Sequence, residues 1–379
     1  MLSLLIVLHS DMNCIVRVDG SYSKPFEMKQ GLKQGCCIAP LLFNIYVSTV
    51  IDVFKRRIES RSIQGKVSYK SRFDGDMFKV TRLNAKTKVI KNEIVELFFA
   101  DDAALCASNT HDLQQLVNVF NETVVDFGLQ ISIGKTEVMV SSWEISEPVA
   151  VTPVKINNIE LKRVSQFKYL GGIISEDGSM KLEIEQRLKI AMLAFNKYYS
   201  QVYNNSVLAV RTKINTLKTM MIPCLTYGCA SWHLKLDQTM KLEGFHYRCL
   251  MKITNTKWGD MVSYVTLLEK TESMSIRSII SKNRLKHVGK IQNTSNHRIP
   301  KFVLHGEVEA GAREPGRPIK CLRQCIKDDL IKCELLKEFK QNSLNDKAWI
   351  AMVNEGIDVC EDEFKEKRIA ASNKRKARS

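Results

Sequence analysis

Ile94-Val95-Glu96-Leu97-Phe98-Phe99-Ala100-Asp101-Asp102-Ala103-Ala104-Leu105-Cys106-Ala107 is the stretch from which the fold can be read. Two apolar runs are broken in the middle by adjacent acids. Carboxylates set inside an apolar ribbon cost desolvation free energy unless a cation compensates them. The cheapest compensators are a divalent metal or a metal carried on phosphates. The other solution is a hairpin whose turn merely lifts both acids to the surface. The residue types alone leave both open.

Upstream, residues 13 to 28 alternate toward strand: Cys14-Ile15-Val16-Arg17-Val18, then Asp19-Gly20, then Tyr22 to Met28. Asp-Gly between such runs predicts a hairpin. Residues 38 to 58 predict a helix, with Pro40 near its first turn and Leu42, Ile45, Tyr46, Thr49 and Val53 at helical spacing. Residues 60 to 92 are polar and read as loops with a small ribbon.

Downstream, residues 111 to 127 predict an amphipathic helix, with Leu113, Leu116, Val117, Phe120, Val124 and Phe127 on one face and Gly128 as its C-cap. Strand-like runs follow at 136 to 141 and 154 to 161. Past Gly178 the period becomes helical through Ile184, Leu188, Ala191, Phe195, Tyr198 and Val202. Asn205-Ser206 is expected to supply a break and an N-cap, after which Val207, Val210, Ile214, Leu217 and Met221 continue the stripe until Pro223. These stripes are core faces before they are anything else. Residues 306 to 318, rich in Gly, Pro and charge, read as a linker. Lys365 to Ser379 holds seven basic residues against one acid and reads as a frayed tail. Its end, Lys374-Arg375-Lys376-Ala377-Arg378, fits either a nuclear-import signal or a solvated run.

The whole chain has 379 residues, 44% hydrophobic and 26% charged, which excludes global disorder and suggests two to three domains. A net charge of +16 favours a polyanionic partner, nucleic acid or an anionic membrane surface. The eleven cysteines include the adjacent Cys36-Cys37 and no CxxC. Cys321 and Cys325, with Cys333 beyond, come nearest to metal spacing, and the plain reading is reduced thiols in an intracellular protein. The apolar start, Leu2 to Leu8, is too short to span a bilayer and lacks the basic flank of a signal peptide. It reads as a segment cut from a larger core. The expectation is a soluble, intracellular protein without membrane segments, with nucleus or cytoplasm left open.

Four motifs then fall in one order. Gly31-Leu32-Lys33-Gln34-Gly35-Cys36-Cys37-Ile38-Ala39-Pro40-Leu41-Leu42-Phe43-Asn44 looks like the glycine-flanked turn that closes over an incoming nucleotide in reverse transcriptases. Phe99-Ala100-Asp101-Asp102 resembles their aromatic-x-Asp-Asp hairpin. Gly128-Leu129-Gln130-Ile131-Ser132 with Lys135-Thr136 is similar to the next motif. Tyr169-Leu170-Gly171-Gly172-Ile173-Ile174 resembles the turn that grips the primer end. The ordered set resembles the reverse transcriptase of a non-LTR (LINE-type) retrotransposon. The likeness continues through Arg187, Tyr227-Gly228, Phe245 to Leu250, Pro300-Lys301, Gly316-Arg317-Pro318 and Trp349.

The resemblance implies an α+β fold: a partial polymerase right hand, with a palm remnant carrying an antiparallel sheet over 1–175, a helical thumb over 176–305, and a linker with basic C-terminal extension over 306–379. It implies that Asp101 is a ligand to catalytic Mg2+ (or Mn2+), with Asp102 its neighbour at the primer terminus. Gln34 and Gly35 would shape the nucleotide and template site, and Phe99 and Ala100 would lie under the primer end. Lys135 would be an acid for the pyrophosphate, against the plain reading of an exposed strand-edge lysine. Tyr169, Leu170, Gly171 and Gly172 would form the primer grip, against an ordinary Gly-Gly turn. The implied partners are an RNA template, a DNA primer and dNTPs, with no stable protein partner.

The sequence also departs from the family. A further aspartate motif precedes the Gln-Gly turn in relatives, and only 30 residues precede Gly31 here. Asp11, Asp19, Asp74 and Asp76 are poor substitutes by position. The expectation is an N-terminally truncated domain without fingers. Losing one bridging carboxylate costs several kcal/mol of transition-state stabilisation, on the order of 10³-fold or more in rate. His287 and Lys290 stand where relatives tend to have Trp and His, and Leu322 where a Trp is usual. Without a neighbouring palm strand, the Phe98-Phe99 hairpin should also expose an apolar edge.

Overall fold

A computed structural model describes residues 2–10, 12–28, 31–33, 35–141, 152–309, 321–339 and 343–376. Among them the chain is mixed α/β, with twelve α-helices and small sheets of two or three strands. It divides into two units. The first comprises Met1–Val67, Glu93–Thr136 and Ala150–Lys162, and the second comprises Ser68–Asn92, Glu137–Val149 and Arg163–Ser379.

The first unit begins with α1 (Leu2–His9) and four two-residue strands, β1 (Asn13–Cys14), β2 (Arg17–Val18), β3 (Ser21–Tyr22) and β4 (Phe26–Glu27). The expected hairpin forms around Asp19-Gly20, with Val18 opposite Ser21. Asp19 and Gly20 both have positive φ (47° and 83°), which a two-residue turn between twisted strands demands. Next comes α2 (Ala39–Ser60), with Pro40 in its first turn, where a missing N–H costs nothing. Its buried face, Val50, Phe54 and Ile58, meets α3 (Thr110–Asp126). The Asn109 side chain caps α3 by accepting the Asp112 N–H at 2.9 Å. Gly128, at φ 72°, ends α3, donating its N–H to Val125 while Leu129 donates to Val124.

Phe54, Ile58, Ile63, Leu116 and Val119 form the core between α2 and α3, with Phe54 edge-on to Phe120 at 5.2 Å. Arg57–Asp126 and Arg61–Glu122, each 2.6 Å, rim the contact. Gly65 is a required glycine. Its φ is 77°, and a Cβ there would overlap the Asp112 carboxylate.

The 154–161 run is not a single strand. It folds back as β10 (Lys155–Ile156) on β11 (Ile159–Glu160), with Asn157 and Asn158 both in the left-handed region. Asparagine tolerates that region through local hydrogen bonding, so a turn sits inside what periodicity reads as strand. Of the 136–141 run, only β9 (Glu137–Val138) is regular.

The second unit is helical: α4 (Lys181–Lys197), α5 (Val210–Thr216), α6 (Ile222–Leu225), α7 (Leu236–Ile253), α8 (Tyr264–Lys270), α9 (Ile276–Gln292), α10 (Ile299–His305), α11 (Leu322–Lys332) and α12 (Asp346–Lys376). One core gathers Phe195, Tyr203, Leu217, Trp232, Leu242 and Leu250. A second gathers Leu285, Val288, Ile326, Leu330, Trp349 and Val353 between α9, α11 and α12.

The structure departs from what the sequence predicts at four points. Ser206 is not an N-cap: Asn205 accepts the Val207 N–H at 2.9 Å in a local turn, and the helix starts only at Val210. The stripe does not stop at Pro223. A π-turn over Leu217–Met221 precedes it, so Pro223 falls in the first turn of α6, where it is tolerated. The segment read as a linker opens with a strand, β15 (Gly306–Val308), paired antiparallel with β5 (Val67–Ser71); residues 310–320, with Gly316-Arg317-Pro318, lie outside the described residues. The basic tail is helical through Lys376, and within it Arg368 reaches Glu243 at 2.8 Å and lies over Phe364.

Candidate active site

β7 (Glu96–Phe99) and β8 (Asp102–Leu105) form an antiparallel hairpin, with Phe99 directly opposite Asp102. That register leaves Ala100-Asp101 as a two-residue turn, and Ala100 takes φ 54°, uncommon for a residue with a Cβ. Alternation then sorts the aromatics. Phe98 turns inward against Phe120, ring centroids 5.8 Å apart, whereas Phe99 is 61% exposed. Residues directly opposite share a face, so Phe99 and Asp102 stand side by side. Lys55 holds Glu96 at 3.1 Å at the base of the hairpin.

Asp101 and Asp102 are both exposed. The turn lifts both acids to water. Among the described residues neither carboxylate makes a side-chain hydrogen bond or an ion pair. No group of three or more His, Cys, Asp or Glu gathers among those residues. The donor set therefore fits a magnesium ion that arrives on phosphates, which needs only one or two carboxylates, rather than a resident ion in an all-protein cage.

Asp74, Asp76 and Asp19 are engaged elsewhere. Asp74 is bound by Arg72, with a second contact to Lys88 at 3.5 Å. Its hydrogen bonds from Arg72 hold its carboxyl down to about 2. The Asp76 carboxylate accepts the Phe78 N–H. Asp19 is consumed by its turn, and Asp11 lies outside the described residues.

Gln34 lies outside the described residues. Its neighbour Gly35 and the flanking Gly31 both have positive φ (84° and 97°), leading into α2. Lys135 is exposed, and it closes a one-turn helix over Ile133–Lys135 rather than lining a strand edge.

The Tyr169 to Gly172 turn belongs to the second unit. β13 (Gln166–Tyr169) pairs with β14 (Gly172–Ser175), and Leu170-Gly171 is the two-residue turn, at φ 49° and 82°. Three side chains hold it. Tyr227 donates its hydroxyl to Leu170 O at 2.8 Å. The Arg187 guanidinium donates to Gly171 O and lies over the Tyr227 ring, 4.7 Å from its centroid. Glu183 accepts the Ile173 N–H at 2.7 Å and the Arg187 Nε–H at 2.7 Å. Glu183 and Arg187 are both buried. The sequence does not announce this support. Glu183 and Arg187 stand at i and i+4 in α4, a spacing that signals a pair, yet nothing local says that both turn inward.

Residues 4–174 match the family described as Reverse transcriptase (RNA-dependent DNA polymerase). An uncharacterized transposon-derived protein from Caenorhabditis elegans is 27% identical over 148 residues, which is 38% of this chain and 51% of that protein. The chain thus matches about half the length of that relative.

Proposed function

We propose, from the premise that residues 4–174 carry a reverse transcriptase domain, that this chain comes from an RNA-directed DNA polymerase of a non-LTR, LINE-type retrotransposon and presents Asp101 and Asp102 to a primer end. The observation that carries the reading is the hairpin tip: two adjacent carboxylates, exposed and unpaired, beside an exposed aromatic ring. Unpaired carboxylates are available to an ion delivered on nucleotide phosphates. Magnesium or manganese held there would supply activation of the primer 3′-hydroxyl and stabilisation of the leaving pyrophosphate.

The chain's own residues then divide the remaining work. Asp101 would hold that ion, and Asp102 would lie beside it at the primer terminus. Phe99 offers a ring for base or sugar contact, a kind of interaction worth about 1–3 kcal/mol per stacked base. Ala100 turns the chain tightly enough to let the primer end approach. Gly35, with Gln34, shapes the nucleotide side. Lys135 is an exposed cation for the pyrophosphate. Tyr169 to Gly172 is the primer grip, stiffened by Glu183, Arg187 and Tyr227. In this reading residues 1–175 act as palm, 176–305 as thumb and 306–379 as extension, on an RNA template and a DNA primer.

A second reading, nucleic-acid binding without catalysis, is favoured by one observation: among the described residues no third carboxylate joins the pair. The two readings meet in one experiment on residues 1–379: primer extension on a homopolymer template with magnesium or manganese, beside salt-dependent binding of the same primer–template. We expect binding, with extension no faster than in Asp101→Ala. Incorporation that disappears in Asp101→Ala would establish catalysis and overturn the binding-only reading. Absence of any primer–template binding would overturn both.

A further inference from the structure

Helix α9 (Ile276–Gln292) carries five cations, Arg277, Lys282, Arg284, Lys286 and Lys290, and no acid. The fold pairs two of them. Arg277 meets Glu243 at 3.1 Å, and Arg284 is buried against Asp329. The other three have no acid partner among the described residues. They stand at i, i+4 and i+8, one above the next on a single strip of the helix. A rise of 1.5 Å per residue spaces them by about 6 Å.

The strip cannot rotate away. Leu285, Val288 and Ile280 anchor the opposite side in the two cores. Trp349 donates its Nε1–H to Leu285 O at 2.9 Å, and its ring presses on Gly289 so closely that a Cβ there would overlap it. Like charges at i, i+4 repel, so a bare row of three is unfavourable unless an anion is present. The repulsion is already visible: burial, then Lys282 and Lys290, hold the Lys286 ammonium below its ordinary value. Elsewhere in this unit Lys70 and Lys91 are matched by Glu309. The helix dipole accounts for Lys290 in the last turn but not for Lys282, ten residues before the helix end.

We propose that Lys282, Lys286 and Lys290 form a binding site for the phosphate backbone of nucleic acid, outside the matched domain of residues 4–174. Each strand of a duplex carries its phosphates at regular short intervals, which a row of ammonium groups along one helix can follow. A membrane surface is the poorer partner. Interfacial helices bury large apolar side chains beside their lysines, and α9 exposes none. The site rests on the nucleic-acid reading of the chain but not on the Asp101 hairpin.

The test uses the full chain and fluorescence anisotropy with a labelled 20-mer RNA·DNA hybrid, over a series of salt concentrations. One triple variant is Lys282→Gln, Lys286→Gln, Lys290→Gln. The control, Lys86→Gln, Lys337→Gln, Lys347→Gln, removes the same three charges from the +16 total at exposed positions of the same unit. The α9 variant should bind about tenfold more weakly at 0.1 M salt, and its log–log salt slope should shrink by about 2 to 3. The control should stay within about twofold of the parent. Equal losses in both variants would reduce the effect to net charge and overturn the site. So would hybrid binding unchanged in the α9 variant, including the case where that variant loses only its binding to phosphatidylserine vesicles. A parent chain that binds no hybrid at all would overturn the nucleic-acid reading itself. Matching thermal melts of the three proteins exclude unfolding as the cause.

Discussion

Arg187 illustrates how a single side chain can hold a candidate site without touching a substrate. Its guanidinium lies between the Glu183 carboxylate, the Gly171 carbonyl and the Tyr227 ring. Removing one partner of a buried pair leaves the other charge uncompensated, so Arg187→Ala should cost about 3–5 kcal/mol in urea denaturation. Tyr227→Phe deletes one hydrogen bond to Leu170 and should cost about 1 kcal/mol. His246 sets a pH dependence. It is buried, its Nδ1 lies 2.8 Å from the Tyr264 hydroxyl, and burial lowers its pKa from 6.5 to about 3. The unfolded chain therefore binds the proton first as pH falls. Stability is fully present above about pH 6.5 and is lost progressively between there and about pH 3. By pH 5 this histidine should remove about 2 kcal/mol, read as a falling Tm. A His246→Gln chain that kept the same acid slope would show that the loss arises elsewhere.

At the scale of elements, the best-anticipated pieces were those whose signals are short-range. The Asp19-Gly20 hairpin, Pro40 opening α2 and Gly128 closing α3 follow from allowed φ values and missing donors. The Asn157-Asn158 turn and the passage of Pro223 were hidden for the same kind of reason. Asparagine enters the left-handed region without advertising it as glycine does, and a π-turn shifts the register so that proline falls at a helix start. Packing of one element on another was not legible at all. Gly289 looks like an ordinary mid-helix glycine, yet it is the close approach of α9 to Trp349. Gly289→Ala should therefore destabilise by about 1–3 kcal/mol through overpacking, although alanine is the better helix former. A more stable variant by urea denaturation would mean that the two helices separate easily.

For the whole molecule, the two units differ in how much core they own. The first has one cluster of five buried residues around Phe54, while the second has two larger clusters. Calorimetry should show the first unit melting at the lower temperature, as a separate transition. That unit also exposes Ile6, Val7, Val18, Leu41 and Phe99, each about 60% or more. Among the described residues no further strand pairs with the β7–β8 hairpin. Unpaired edges and apolar surface of this kind promote association. The isolated chain should self-associate at micromolar concentration in light scattering, and a monodisperse monomer with one cooperative transition would contradict both expectations. No helix among the described residues is long and apolar enough to cross a membrane.

The sequence by itself determined the order of the motifs, the hairpin that carries Asp101 and Asp102, the turn at Leu170-Gly171 and the helical character of the second half. These depend on side-chain period and on local backbone freedom, which a few neighbouring residues settle. Only the tertiary structure decided that both acids face water, that Glu183 and Arg187 turn inward to hold the second turn, and that three of the five cations of α9 are left without acids. Burial and charge pairing depend on residues far apart in the chain, such as Arg284 with Asp329 or Arg368 with Glu243, and those contacts exist only once the helices have packed.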